Sequence, residues 1–365
     1  MSYSTVNPTI GADPEFFIFQ ELENKELKLI PADKVLPGKD EKLSVFGGTA
    51  FFDGVQAEIN PRYNTCRELF IANIRDSLNG ILQYIDKKDI KFIPYPSLEV
   101  NLDDIKDSDN ECFRFGCAPD NCIYDEERNI KYPDGKKFST RFAGGHIHLG
   151  FSSTQQMRFF KDPDNLEKLI MMMDLIPGII SVAIANNERE IFRRKWYGQA
   201  GTYRIQPHGM EYRTLSPFWL TSPELTSLMT GLVRDAFKIT YGKDADELLE
   251  KVDIKKVRKI IDEFNVEEAK RIWKDVIKPY YENMPKTTTR CPLGYKHQRN
   301  FLELMMKNGY EHYFNPTKML YYWGRIKVPG FYKNDFSMTF GYKTFCSNFG
   351  NKKEYRDKVI EFAKE

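Results

Sequence analysis

The chain has 365 residues, of which 41% are hydrophobic and 29% charged, and its formal net charge is +2. This balance excludes a disordered chain, and the charge gives no overall reason to expect nucleic acid or an anionic membrane as partner. The length suits two typical domains or one large enzyme core.

Taken in chain order, the first expected element is a strand over residues 11–19, GADPEFFIF, with two acids in an otherwise apolar run. Side chains alternate along a strand, so Asp13 and Glu15 share a face, and like charges repel unless a cation or basic group lies between them. The other reading is that Asp13 caps a turn and Glu15 opens the strand. Residues 21–42 are charged and punctuated by prolines, as in a hairpin arm and surface loop. Residues 51–61, FFDGVQAEINP, predict strand, turn and strand, ending at Pro61 and carrying Asp53 and Glu58. Thr65 and Glu68 fit a capping box, and Ile71, Ile74, Leu78, Ile81, Leu82 and Ile85 recur at helical spacing.

Residues 91–134 are rich in Pro, Asp and Asn and predict an irregular loop. AGGHIHLG at 143–150 predicts a strand, followed by a helix from about Ser153 and an apolar helix over 166–185 kinked at Pro177-Gly178. Strands at 202–206 and 210–215 flank Pro207-His208-Gly209 as a hairpin. Ser222-Pro223-Glu224 opens another helix, and helical periodicity continues to about Met284. The expected fold class is α+β, with a catalytic core over 1–222, a helical continuation of it over 223–285, and a basic, aromatic-rich segment over 286–365. That last segment has fifteen Lys and Arg against seven Asp and Glu, a net of +8, so the remainder carries −6.

The six cysteines form no CxxC pair and no His follows at zinc-finger spacing, so they read as reduced thiols. The N-terminus lacks the basic start and apolar run of a signal peptide, and no stretch approaches a membrane span, so a soluble intracellular protein is expected.

Four short segments carry unusual polar residues: Asp13 with Glu15, Asp53 with Glu58, His146 with His148, and Arg204 with Glu211 and Arg213. His-x-His on a strand aligns two imidazoles for a metal or a phosphate, and Gly144-Gly145 before it admits a ligand close to the backbone. A satisfied core histidine is the alternative for either ring, and a cross-strand ion pair is the alternative for Glu211 and Arg213. Carboxylates with one imidazole suit magnesium or manganese better than zinc or iron, and arginine forks suit phosphate. There is no GxxxxGK[ST] segment to cradle phosphates, so these groups together point to phosphoryl transfer from a metal-held nucleotide on an open sheet.

These segments, in this order across roughly residues 10–220, resemble the motifs of the glutamine synthetase and glutamate-cysteine ligase superfamily, closest to its phage-type carboxylate-amine ligase branch. The resemblance implies a glutamine synthetase-like antiparallel sheet with flanking helices, and ATP with two or three Mg²⁺ ions, Mn²⁺ being an alternative. By it, Asp13, Glu15, Glu58, His146 and Glu211 are metal ligands, Glu58 also serving catalysis. Arg204 and Arg213 act on phosphate in catalysis and nucleotide binding, and His148 and Gly145 contact the nucleotide. The chain departs from glutamine synthetases at Ala50, where they have an acid that Asp53 would replace, and at Gly209, where they have an arginine. Arg204 or the Arg193-Arg194 pair would then supply that charge.

The expected function is thus an ATP-dependent ligase that joins a carboxylate to an amine through an acyl phosphate. Its substrates would be small molecules or peptides, and its location the cytoplasm, the host's if the chain is phage-encoded. One alternative is a guanidino-kinase-like phosphotransferase. A second is a nucleic-acid-binding protein using the basic C-terminal segment, with tyrosines such as Tyr310, Tyr313 and Tyr321 and Trp323 stacking bases. A solvated basic face over an aromatic core is the stronger reading of that segment.

Overall fold

The computed structural model describes residues 6–85, 87–115, 121–124, 133–151, 153–242, 244–284, 292–294 and 296–324. Strands β1 (Thr9–Ala12) and β2 (Glu15–Glu21) follow one another with only Asp13-Pro14 between them. Alternation in β2 serves two interiors. Phe16 and Ile18 enter the main core, whereas Phe17 and Phe19 enter a smaller one with Val55, Ile93, Val100, Ile105, Cys112 and Ala143. This is why residues 16–19 are apolar at every position yet remain a strand.

The remaining strands are β3 (Leu27–Ile30), β4 (Leu43–Val45), β5 (Gly48–Asp53), β6 (Gln56–Pro61), β7 (Ile90–Ile93), β8 (Ser97–Glu99), β9 (Asn121–Cys122), β10 (Thr140–Phe142), β11 (Ile147–Gly150), β12 (Thr202–Gln206) and β13 (Gly209–Tyr212). They form a five-stranded sheet in the order β1-β11-β13-β12-β9, a six-stranded sheet β3-β2-β6-β5-β4 with β7 also on β2, and the pair β10-β8. Every described pairing is antiparallel, as the α+β reading requires.

The two larger sheets are joined through Asp13-Pro14. Past the end of β1 the chain continues to bond the segment before β11, with Asp13 N–H donating to His146 O at 3.3 Å and Glu15 N–H to Gly144 O at 2.9 Å. Glu15 then pairs with Glu58 on its other edge.

Three local expectations change. The helix Arg67–Tyr84 is present, but Cys66 is its N-cap and no side chain caps it; the Cys66 thiol donates to Glu68 Oε2 at 3.0 Å, so the capping box does not form. The expected loop at 91–134 contains most of β7 and all of β8 and β9, because β7 pairs with β2, β8 with β10 and β9 with β12. The expected kink at Pro177-Gly178 is a π-turn, Asp174–Gly178, which absorbs the missing proline donor. The 202–215 hairpin forms as β12 and β13, with Gly209 in a place where a Cβ would fall 1.8 Å from Leu149 O.

The main core runs from Ile10 through the helix Pro223–Tyr241 to Trp323, so the helical stretch after residue 222 packs into the same interior as the sheets. Tyr310, Tyr313 and Trp323 are also part of that interior. They are therefore unavailable for base stacking, while Tyr321 is exposed. Residues 286–291, 295 and 325–365 of the basic segment lie outside the described residues. No described helix is long and apolar enough to cross a membrane.

Candidate active site

Antiparallel register assembles the site in rows. Gly11 on β1 stands opposite His148 on β11, His148 opposite Glu211 on β13, and Glu211 opposite Arg204 on β12. Asp13, His146 and Arg213, each two positions from a member of that row, add a second row on the same face.

The first acid group is Asp13, His146 and Glu211, whose ligand atoms lie within 4.8 Å of one another. His146 Nδ1 is 3.2 Å from Asp13 Oδ1 and 3.1 Å from Glu211 Oε1. His148 Nε2 is 3.3 Å from Asp13 Oδ2 and 4.0 Å from Glu211 Oε2. Arg213 is buried against this group. Its Nη1 pairs with Glu211 Oε1 and lies 3.3 Å from His146 Nδ1, and its Nη2 donates to the Tyr197 hydroxyl at 3.1 Å. The same hydroxyl is 2.9 Å from His146 Nε2. Arg204 Nη1 is 3.8 Å from Glu211 Oε2, which also accepts from Gln206 Nε2 at 2.8 Å.

Burial raises the Asp13 carboxyl, but His148 and His146 outweigh it and hold Asp13 well below the usual range. Glu211 behaves alike: burial raises it, and contacts with His146 and Arg213 bring it down to about 2. Both are therefore carboxylates at neutral pH.

The second group is Glu15, Asp53 and Glu58, again within 4.8 Å. Glu58 is hydrogen-bonded to Asp53 within the group, and the partners outside it are neutral. Glu15 Oε2 accepts from Gln56 Nε2 at 3.0 Å and Gly144 N–H at 2.9 Å, and Glu58 Oε1 accepts from Asn60 Nδ2 at 2.7 Å. Among the described residues none of the three acids has a salt bridge. Burial, then Asp53, pushes Glu15 up to about 7. Burial, then Asp13, Asp53 and Glu15, pushes Glu58 well up.

The contrast between the groups shows which one has the greater need of a cation. The first already holds Arg213 and two imidazoles. The second places carboxylates directly opposite one another, and at about 5 Å and an effective dielectric near 20 two such charges repel by about 3 kcal/mol. A hard divalent cation would relieve this, and the all-oxygen donor set fits magnesium or manganese. Asp53 supplies the third acid here, whereas Ala50 is buried opposite Ile59.

A cleft of about 210 Å³ opens beside this group, lined by Glu15, Asp53, Gln56, Arg114, Phe142 and Tyr197 among others. The sequence reading passed over the roles of Tyr197, Gln206, Gln56 and Asn60. The last three follow from strand parity, since Gln206 is two residues from Arg204, Asn60 two from Glu58, and Gln56 two before Glu58. Tyr197 had no such signal, because it comes from a turn far along the chain.

Two expected contributors lie elsewhere. Gly145 faces Ser216 and Pro217, where a Cβ would fall 2.2 Å from Ser216 O, while its N–H donates to Leu215 O and its C=O accepts from Trp219 Nε1. Its neighbour Gly144 is the glycine beside the site, where a Cβ would fall 2.6 Å from His146 Nε2. Arg193 and Arg194 are buried and donate to backbone carbonyls, Arg193 to Ala143, Thr214 and Leu215 and Arg194 to Thr214, so they brace the loops behind the site.

The family described as phage phiEco32-like COOH.NH2 ligase-type 2 matches residues 121–279. No curated protein matches the chain. The crystal structure of a bifunctional glutathione synthetase from Pasteurella multocida is similar with a TM-score of 0.42 and 9% identity, over 87% of this chain and 51% of that one. The chain thus spans about half the length of that protein, and a likeness this slight carries no argument about function. The family match covers His146, His148, Arg204, Glu211 and Arg213, whereas Asp13, Glu15, Asp53 and Glu58 lie before it. This similarity to a carboxylate-amine ligase family therefore meets the structure at the imidazole and arginine half of the site, and the fold adds the other acids to it.

Proposed function

We propose that the protein is an ATP-dependent ligase that joins a carboxylate to an amine. The observation that carries this reading is that the Glu15, Asp53 and Glu58 group lies close enough to the Asp13, His146, Glu211 and Arg213 group for Asp13 to act on Glu58 and His146 on Glu15, within a chain similar to a carboxylate-amine ligase family over its middle part.

Glu15, Asp53 and Glu58 would hold one divalent cation, and Asp13, His146 and Glu211 could hold another. Bound there, such an ion supplies positive charge that neutralises phosphate oxygens. Arg213 is held by Glu211 and Tyr197 so that its position is fixed before substrate arrives, and Arg204 stands at the more open edge of the row. Guanidinium groups so placed spread the charge that develops on a transferring phosphoryl group. The substrate carboxylate oxygen attacks the γ-phosphorus as the bond to ADP breaks. The amine nitrogen then attacks the acyl carbon, phosphate leaves and the nitrogen loses a proton.

The test is trapping. Purified protein, ATP and Mg²⁺ are incubated with a panel of small and peptide carboxylates and with hydroxylamine. An acyl hydroxamate supports the ligase, a stable phosphorylated product transfers the assignment to a phosphotransferase, and no ADP release with any acid removes both.

A further inference from the structure

Behind the site, on the core side of the five-stranded sheet, Asp174 is fully buried and forms no salt bridge among the described residues. It takes three donors instead. Its Oδ1 accepts from the Tyr212 hydroxyl at 2.6 Å and its Oδ2 from the Tyr124 hydroxyl at 2.8 Å. The Gly201 amide adds a third hydrogen bond. Asp262 and Arg194 interact with it electrostatically, the former accepting from Ala200 N–H at 2.8 Å.

The three donors come from three strands or their ends. Tyr212 is in β13 between Glu211 and Arg213, Gly201 immediately precedes β12, and Tyr124 follows β9. The surroundings are shaped for these contacts. At Gly178, in the π-turn that Asp174 opens, a Cβ would lie 2.9 Å from the Tyr212 hydroxyl. At Gly201, with φ of +73°, a Cβ would lie 2.6 Å from the Tyr124 ring. Strand parity sends Tyr212 into the core and its two neighbours into the site, so a pin on the phenol also sets Glu211 and Arg213.

We propose that Asp174 is a positioning residue, which clamps β9, β12 and β13 from behind and thereby fixes Glu211 and Arg213 relative to Arg204 and His146. The inference builds on the ligase reading, in which small displacements of these groups cost turnover. A misplacement of about 1 Å by a change far from the chemistry can lower rate by about 10²-fold.

The test compares Asp174→Asn and Tyr212→Phe, singly and together, on the full chain. The second removes only a hydroxyl and keeps the ring, so it serves if the first does not fold. Melting temperature, kcat and KM for ATP per folded molecule, and Mn²⁺ affinity by water-proton relaxation are measured. The expected result is a fall in kcat of roughly tenfold or more with KM changed by about twofold or less, weaker Mn²⁺ binding, and a double variant no slower than the worse single one. A lowered melting temperature with unchanged kcat per folded molecule and unchanged Mn²⁺ affinity overturns the proposal and leaves Asp174 a purely structural group. If the wild type turns over no acid at all, the ligase reading fails by itself, and Mn²⁺ affinity alone then decides for or against the clamp.

Discussion

Glu15 on β2 lies directly opposite Glu58 on β6, and Asp53 reaches the same space from β5. Two carboxylates in register weaken a sheet unless something positive or a proton lies between them. Without a cation, this pair is thus a place where the fold is held below its best stability.

Glu15→Gln and Glu58→Gln should each abolish ATP turnover while leaving the metal-free melting temperature unchanged or higher. Each substitution keeps the shape and removes a buried charge. The rise in melting temperature on adding Mg²⁺ should shrink or vanish. Full activity with unchanged Mg²⁺ dependence in either variant would remove that residue from the metal site.

Stability should depend on pH in a direction set by the same two residues. Their carboxyls titrate higher in the folded chain than in the unfolded one. The folded state therefore binds those protons more tightly, and this contribution is present below the ordinary glutamate range and lost as pH rises through about 7 for Glu15. The lowered Asp13 and Glu211 work in the opposite sense, but only in acid, as pH falls towards their depressed values. Without metal, melting temperature should fall from about pH 5 to about pH 8, and the Mg²⁺-induced rise should grow over that interval. A flat Mg²⁺ effect across it would contradict this account.

Arg213→Lys should lower kcat by about 10²-fold or more although the charge is kept. One ammonium cannot reach Glu211, the Tyr197 hydroxyl and a phosphate in the way a guanidinium can. Arg213→Ala leaves Glu211 buried without its cation and should cost about 3–5 kcal/mol of stability in denaturant unfolding. Unaltered turnover in Arg213→Lys would make the Arg213 contact a structural ion pair only.

His146 and His148 share Asp13 and Glu211 but differ in surroundings, since His146 is buried beneath Tyr197 and His148 stacks on the exposed His208. His146→Ala should raise the Mg²⁺ or Mn²⁺ concentration needed for activity, and His148→Ala mainly the ATP concentration. Burial and Arg213 push the His146 imidazole down, but Asp13 and Glu211 outweigh them and leave it raised. A metal must displace that proton, so affinity through His146 should increase as pH rises. Separate titrations of metal and ATP against both variants check the division, and identical responses would refute it.

Adjacent glycines should fail differently. Gly144→Ala drives a methyl group against His146 and Glu15 and should eliminate turnover in a folded protein. Gly145→Ala meets the backbone of Ser216 and Pro217 and should lower the yield of folded protein. Circular dichroism melts beside ATPase assays separate the two, and equal behaviour would show that Gly144 does not border the site.

Much of the site was legible because strand parity is a local property. His146 with His148 and Glu211 with Arg213 each announce a common face by a spacing of two, and the antiparallel α+β class follows from short turns between strands. Asp13 and Glu15 do not share a strand as expected, because Asp13-Pro14 separates β1 from β2, and Asp13 joins His146 and Glu211 while Glu15 joins Asp53 and Glu58. The capping box at Thr65 was misread because the cap is decided by where the helix begins, and Cys66 rather than Thr65 holds that position. The 91–134 segment was misread because its short strands exist only where distant partners accept them, β7 on β2, β8 on β10 and β9 on β12.

The sequence by itself determined which residues could act together within one strand, since a period of two is fixed by backbone geometry. Only the tertiary structure decided which strands lie side by side. It brought Asp53 to Glu15 and Glu58, set Tyr197 between His146 and Arg213, turned Arg193 and Arg194 to backbone carbonyls, and placed Asp174 behind β12 and β13. The physical reason is that cross-strand register and burial depend on contacts between residues far apart in the chain, and no local pattern encodes them.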